Sequence, residues 1–198
     1  MSYDFNEAEK QAGFDPIPAG TVVPLTMTIR PGGAGEGGWL KQSQSSDAQM
    51  LDCEFIVAEG RYARRKIWQY LVVSGGKVNE RGESAAGNIT RSMLRAILES
   101  ARNIRSDDDG EAARNARRVT GWQDFCGLTF MAKVGVEKDR TGQYPDKNRI
   151  QTVITPDMKE YPSNGAACAG TAVPAVPSWG AQSSESTVSK TPVPAWAK

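Results

Sequence analysis

The chain contains no histidine. That absence removes the side chain most used for proton transfer near neutral pH, the serine–histidine and cysteine–histidine nucleophile pairs, and every histidine-bearing metal site. Cysteine is scarce and odd in number. Cys53, Cys126 and Cys168 lie far apart, with no CxxC pair and no disulfide framework, which fits a reducing compartment. No apolar run approaches the roughly 20 residues that span a bilayer, and the acidic, polar opening MSYDFNEAEK does not read as a signal peptide. Neither sign of charge dominates: 24 Lys+Arg stand against 23 Asp+Glu in 198 residues, a net charge of +1. A whole-molecule attraction to nucleic acid or membrane is therefore excluded, and any polyanion must be met by a local patch. No GxSxG, HExxH or phosphate loop is present.

What is present is unevenly placed. Residues 1–60 carry 3 basic and 9 acidic side chains, residues 61–118 carry 13 and 7, and residues 119–162 carry 6 and 6. The near-neutral total hides a basic middle third, which is either a binding patch or a solvated, salt-bridged surface. Composition changes after Tyr161. Residues 163–198 are almost all Ala, Ser, Thr, Pro, Val and Gly, with Glu185, Lys190 and Lys198 their only charges. Such a segment buries too little apolar surface to offset its ordering entropy, so it reads as a disordered tail behind a folded domain at 1–162.

Within 1–162, period-two alternation marks five strands. In GTVVPLTMTIR (20–30), Val23, Leu25, Met27 and Ile29 oppose Thr26, Thr28 and Arg30. Pro24 predicts an edge position or a bulge. PGGAGEGG (31–38) has five glycines in eight positions and predicts a flexible loop running through polar residues to about Asp47, with Trp39 as a lid or a stacking residue. In 50–58, Leu51, Cys53, Phe55 and Val57 oppose Asp52 and Glu54, so Cys53 reads as a buried apolar residue. The third strand, about 62–73, sets Arg65, Ile67, Leu71 and Val73, with Gln69 among them, against Tyr62, Arg64, Lys66, Trp68 and Tyr70. The second set alternates cations with aromatics; it is either an open binding face or is covered by the helix or the N-terminal arm. A helix is predicted from about Thr90 to Arg105, capped by Asn88 or Thr90, with Leu94, Ile97, Leu98, Ala101 and Ile104 on one stripe and Arg91, Arg95, Arg102 and Arg105 on another side. DDDGE (107–111) lacks the ligand spacing of a calcium loop. A second short helical piece is expected over 111–118, then strands at 127–138 and 149–155.

Three strands, a helix and two strands is the order of an OB-type barrel, here five-stranded with the helix between strands three and four; an open five-stranded sheet packed on the helix is the alternative. That architecture binds across strands two and three and the loops beside them. Those places hold Arg64, Lys66, Trp68 and Tyr70 on the third strand, Trp39 in the first loop, and Arg140, Tyr144, Lys147 and Arg149 at the last loop. Lys133 faces outward on the fourth strand, and Arg91 and Arg95 can guide a strand around the barrel. Cations meet phosphates while aromatics stack unpaired bases, a mixture suited to single-stranded nucleic acid.

These segments carry a resemblance. FNEAEKQAGFDPIPAGTVVPLTMTIR, LDCEFIVAEGRYARRKIWQYLVV and GLTFMAKVGVEKDRTGQYPDKNRIQTVIT together resemble a family of small phage proteins regarded as single-stranded DNA-binding and first grouped as a domain of unknown function. The likeness rests on Pro18, Ala19, Gly20 and Thr21 before the first strand and on Glu59, Gly60, Arg65, Lys66, Ile67 and Trp68. The chain departs at Val22 or Val23, where the family commonly has an aromatic, at Arg64, where it commonly has glycine, and in a longer arginine-rich insert at about 105–120. The resemblance implies a phage protein of the host cytoplasm that coats single-stranded DNA in replication or recombination. It would work beside a recombinase, helicase or polymerase, with no membrane partner. The tail resembles, in layout only, the C-termini of bacterial single-strand-binding proteins, but TPVPAWAK lacks their acidic tip; Trp196 is a docking anchor, or the tail is a spacer.

The leading expectation is thus a non-enzymatic, sequence-tolerant single-stranded DNA-binding protein, as a single copy or a homo-oligomer, without cofactor, metal or catalytic residues. Two rivals remain. One is an adaptor whose basic patch meets a partner protein of replication or recombination. The other is a Mg²⁺-dependent nuclease using Asp52 and Glu54, although those carboxylates also suit pairing with Arg64 and Lys66.

Overall fold

Each strand predicted from alternation forms, because each has one apolar face to bury. The computed structural model describes residues 4, 6, 7, 15–139 and 141–162; the proposed tail lies outside them. Six strands pair antiparallel: β1 (Val22–Arg30), β2 (Leu40–Gln42), β3 (Gln49–Val57), β4 (Lys66–Ser74), β5 (Thr129–Glu137) and β6 (Lys147–Ile154). Helices α1 (Ala85–Ala101) and α2 (Glu111–Ala116) lie between β4 and β5 in the chain. No helix among the described residues is long and apolar enough to cross a membrane.

β3 is hydrogen-bonded on both edges. One edge takes β4. The other is shared, with β1 pairing against 52–57 and β2 against 49–51. β1 continues the sheet to β5, and β5 to β6. β1 is therefore central, not the edge strand that Pro24 predicts. Its proline is tolerated because the Pro24 carbonyl accepts from the Ala58 N–H at 2.9 Å, just past the end of β3. The edge that lacks an N–H is the one where no ladder needs it.

The sheet is open, which corrects the expectation of a closed five-stranded barrel. No ladder among the described residues joins β4 to β6, although the two strands lie against each other. A side chain spans the gap instead: Gln69 Oε1 accepts from the Ile150 N–H at 3.0 Å. That occupies the backbone donor a closing ladder would use. It also accounts for a polar residue on the face shared by Ile67 and Leu71. α1 packs against β4, β5 and β6. Its Leu94, Ile97 and Leu98 join Leu25, Met27, Leu51 and Val134 in the core, where Phe55 and Phe130 meet edge-to-face at 6.0 Å. Close approach of helix to sheet depends on Gly87, since a Cβ there would sit 2.6 Å from the Val73 carbonyl oxygen. Buried Ser100 accepts from the Met131 N–H at 3.0 Å and ties the other end down.

Local chemistry moves four predicted boundaries. α1 starts at Ala85 rather than Thr90, because the Ser84 hydroxyl caps it by accepting from the Gly87 N–H at 3.1 Å. It stops at Ala101 because Asn103 turns left-handed (φ 53°) and the Ile104 N–H reaches back to the Glu99 carbonyl. Ile104 is still buried, but outside the helix. The glycine-rich segment is a closed turn, not a flexible run to Asp47. The Gly32 and Gly33 N–H groups both donate to the Gly38 carbonyl, and the chain then enters β2. A Cβ at position 32 would lie 2.5 Å from the Leu40 carbonyl oxygen, so this turn needs glycine there. Finally, β4 starts at Lys66. Tyr62 and Arg64 belong to the β3–β4 turn, where the Arg64 N–H donates to the Val57 carbonyl.

The arginine-rich insert is organised by a buried carboxylate. Glu99 on α1 is 3% exposed, and its Oε1 accepts from Arg95 Nε at 2.8 Å and from Arg117 Nε at 2.7 Å. Arg117 also donates to the Asp108 and Arg105 carbonyls, and Arg102 to those of Ala116 and Arg118. These guanidiniums hold the insert together as well as charging it.

Two stability predictions result. Arg64 adopts φ 67°, a left-handed conformation that costs a residue with a side chain roughly 1–2 kcal/mol. Arg64→Gly should stabilise the fold by about 0.5–1 kcal/mol in urea unfolding, after the larger chain entropy of glycine is deducted. Glu99→Ala strips the carboxylate from two guanidiniums, so it should lower stability by about 3 kcal/mol in the same measurement; a loss near zero would show that the pair holds nothing.

Candidate nucleic-acid interface

With Ile67 and Leu71 inside, the pleat turns Lys66, Trp68 and Tyr70 to the opposite face of β4. Trp68 is 56% exposed and Tyr70 51%, so no helix covers them among the described residues; most of the N-terminal arm lies outside those residues. Register sets their neighbours. Glu54 lies opposite Trp68, and Asp52 opposite Tyr70 and Arg30. The Trp68 indole N–H donates to Glu54 Oε2 at 3.0 Å while Lys66 Nζ pairs with Glu54 Oε1 at 2.9 Å. Arg30 pairs with Asp52 at 2.6 Å. Lys41, from β2, donates to the Tyr70 hydroxyl at 3.0 Å, lies 5.0 Å from that ring's centroid, and is 3.8 Å from Asp52. The result is one strip of two open aromatic faces, three cations and two carboxylates.

The predicted site residues do not all reach this strip. Lys66, Trp68 and Tyr70 form its centre, and Arg64 sits exposed in the turn just before it. Arg149 is exposed on β6, next to the Ile150 N–H that binds Gln69, so its backbone lies across the open seam from the strip. Tyr144 and Lys147 come together where the β5–β6 loop enters β6, with the ammonium 5.8 Å from the exposed ring, beside a pocket shared with Glu137 and Asp139. Trp39 is half-buried and packs on the margin of the core. Lys133 pairs with Glu160 at 3.0 Å. Arg91 and Arg95 lie on α1, on the other side of the sheet, with Arg95 engaged by Glu99. Arg140 lies outside the described residues, as do Cys168 and Trp196.

Two members of the strip escaped the sequence reading. Arg30 continues the polar face of Thr26 and Thr28, a visible signal. Lys41 belongs to a three-residue strand inside a polar loop, for which sequence offers almost none. Asp52 pairs with Arg30 and Lys41 rather than with Arg64, whereas Glu54 does pair with Lys66. Both carboxylates are thus engaged by cations, and no three metal-ligating side chains gather among the described residues. Burial, with Asp52 alongside, pushes the Cys53 thiol up to about 12, so Cys53 is no nucleophile.

A scan against protein-family models finds no match to this chain, and a search of curated proteins finds none.

The Lys66 hydrogen bond is the largest influence holding the Glu54 carboxyl below its ordinary value of 4.5, with the Trp68 indole adding to it against partial desolvation. A depressed folded-state value means the interaction is intact above the ordinary glutamate value and is lost as pH falls through the depressed one. The Trp68 indole proton resonance should therefore titrate with a midpoint below 4.5, and Glu54→Gln should remove that titration.

Proposed function

We propose that this chain is a non-enzymatic single-stranded DNA-binding protein that coats unpaired strands, without strong sequence preference, during replication or recombination. The resemblance noted above would place it in the cytoplasm of a phage host. In this reading the strand order β4–β3–β1–β5–β6, with a helix between β4 and β5, is an OB-like arrangement whose outer β3–β4 face is the binding face. The observation that carries the reading is the adjacent pair Trp68 and Tyr70, both more than half exposed beside Lys66, Lys41 and Arg30. Exposed indole and phenol rings beside three cations suit stacking of unpaired bases with neutralisation of phosphates, and stacking accepts any base. Asp52 and Glu54 oppose a polyanion, so they moderate affinity; a phosphate must compete with Glu54 for Lys66.

The test is fluorescence anisotropy of labelled oligo-dT at constant ionic strength. Trp68→Ala with Tyr70→Ala should weaken binding by roughly 30-fold or more, given about 1–3 kcal/mol per stacked base, with an unchanged circular dichroism spectrum. Glu54→Gln should tighten it, and binding should fall as salt rises. Unchanged affinity in the aromatic double variant would overturn the proposal.

A further inference from the structure

α1, α2 and the turn at Trp122–Phe125 enclose an open groove of about 490 Å³ on the helix side of the sheet, away from Trp68 and Tyr70. Its floor is apolar: Leu94 and Leu98 of α1, then Val119, Trp122 and Phe125. Its rim is basic. Arg95 and Arg117 converge on Glu99, as described above. Arg91 and Arg114 are exposed and make no salt bridge to a carboxylate among the described residues. With Asp109 also on the lining, four guanidiniums face two carboxylates, which leaves a net charge of +2 at this site.

We infer that the groove docks an acidic peptide segment of a partner protein. Carboxylates of the peptide pair with Arg91 and Arg114, and its apolar side chains seat on Val119 and Trp122. Charge complementarity selects the sign of the occupant. The floor selects a peptide over a nucleic-acid strand. A base needs an open ring, but Trp122 is half-buried on the core margin with its ring tilted 31° against Phe125 at 6.4 Å, Phe125 is itself buried, and the remaining floor residues, Leu94, Leu98 and Val119, are aliphatic. An apolar floor with an arginine rim rewards a segment that carries both carboxylates and apolar side chains.

The experiment titrates the full chain into a fluorescein-labelled hexapeptide in which aspartate alternates with leucine and phenylalanine. Saturable binding is expected. It should weaken by about tenfold or more in Arg114→Glu, whose side chain is exposed, and it should vanish when the peptide aspartates become asparagine. Val119→Asp, which charges the floor at another exposed position, should also abolish it, while Trp68→Ala with Tyr70→Ala should leave it unchanged. Unaltered thermal melting would confirm that Arg114→Glu and Val119→Asp fold. Absence of saturable binding, or binding indifferent to Arg114→Glu and Val119→Asp, would overturn the inference. So would displacement of the peptide by oligo-dT together with an equal loss of oligo-dT affinity in Arg114→Glu, since that assigns the groove to nucleic acid.

Discussion

The antiparallel pairing of β3 with β4 is the constraint on which both halves of the molecule depend. β3 has partners on both edges, so its register cannot slip without undoing three ladders at once. In that register Leu51, Cys53, Phe55 and Val57 enter the core beside Ile67 and Leu71. The same pleat then forces Asp52, Glu54, Lys66, Trp68 and Tyr70 together on the other face. The apolar set supplies the free energy, and the polar and aromatic set is positioned with no further backbone ordering. A one-residue slip would bury the carboxylates and expose Phe55, so the core protects the surface arrangement.

That surface is not a simple basic trough. Each carboxylate lies within ion-pair distance of at least one cation, and the net charge of the strip is small. In these pairs the carboxylate is largely buried while its cation is about half exposed, so solvent screening keeps the stabilisation modest. Their effect is to orient side chains: Glu54 holds both the Lys66 ammonium and the Trp68 indole, and Tyr70 is fixed by Lys41. The aromatic rings are therefore presented in an ordered way, while the long-range field that would draw in a polyanion is kept modest. In the proposed reading, such a surface would draw on ring stacking more than on charge.

The basic middle third divides between the two sides of the sheet. On the helix side, several arginines satisfy the Glu99 carboxylate and the carbonyls of the insert, and that is why a segment so rich in charge packs at all. A buried carboxylate flanked by two guanidiniums is costly unless its oxygens are bonded, and here two of its donors come from residues 22 positions apart in the chain, Arg95 and Arg117.

Alternation alone determined the five principal strands, the inward sets of β1 and β3, Ile67 and Leu71 on β4, and the outward set Lys66, Trp68 and Tyr70, because burying one face of a sheet is a period-two problem legible in a single strand. It misplaced Met131, which is buried on β5, and Ile154, whose neighbour Val153 joins the main core instead, because the β5–β6 register shifts between Lys133 and Val134. The amphipathic stripe of α1 was legible for the same reason at period 3.6. What needed tertiary structure were properties of pairs distant in sequence. Lys41 joined the strip only when β2 took the free edge of β3. Pro24 became central because its missing donor faces the end of β3. The seam between β4 and β6 stayed open because the Gln69 side chain claimed the Ile150 donor. Arginines that look alike in the chain parted company according to whether Glu99 or solvent faced them. Periodicity specifies which way a side chain points; only the packed fold decides what it meets there.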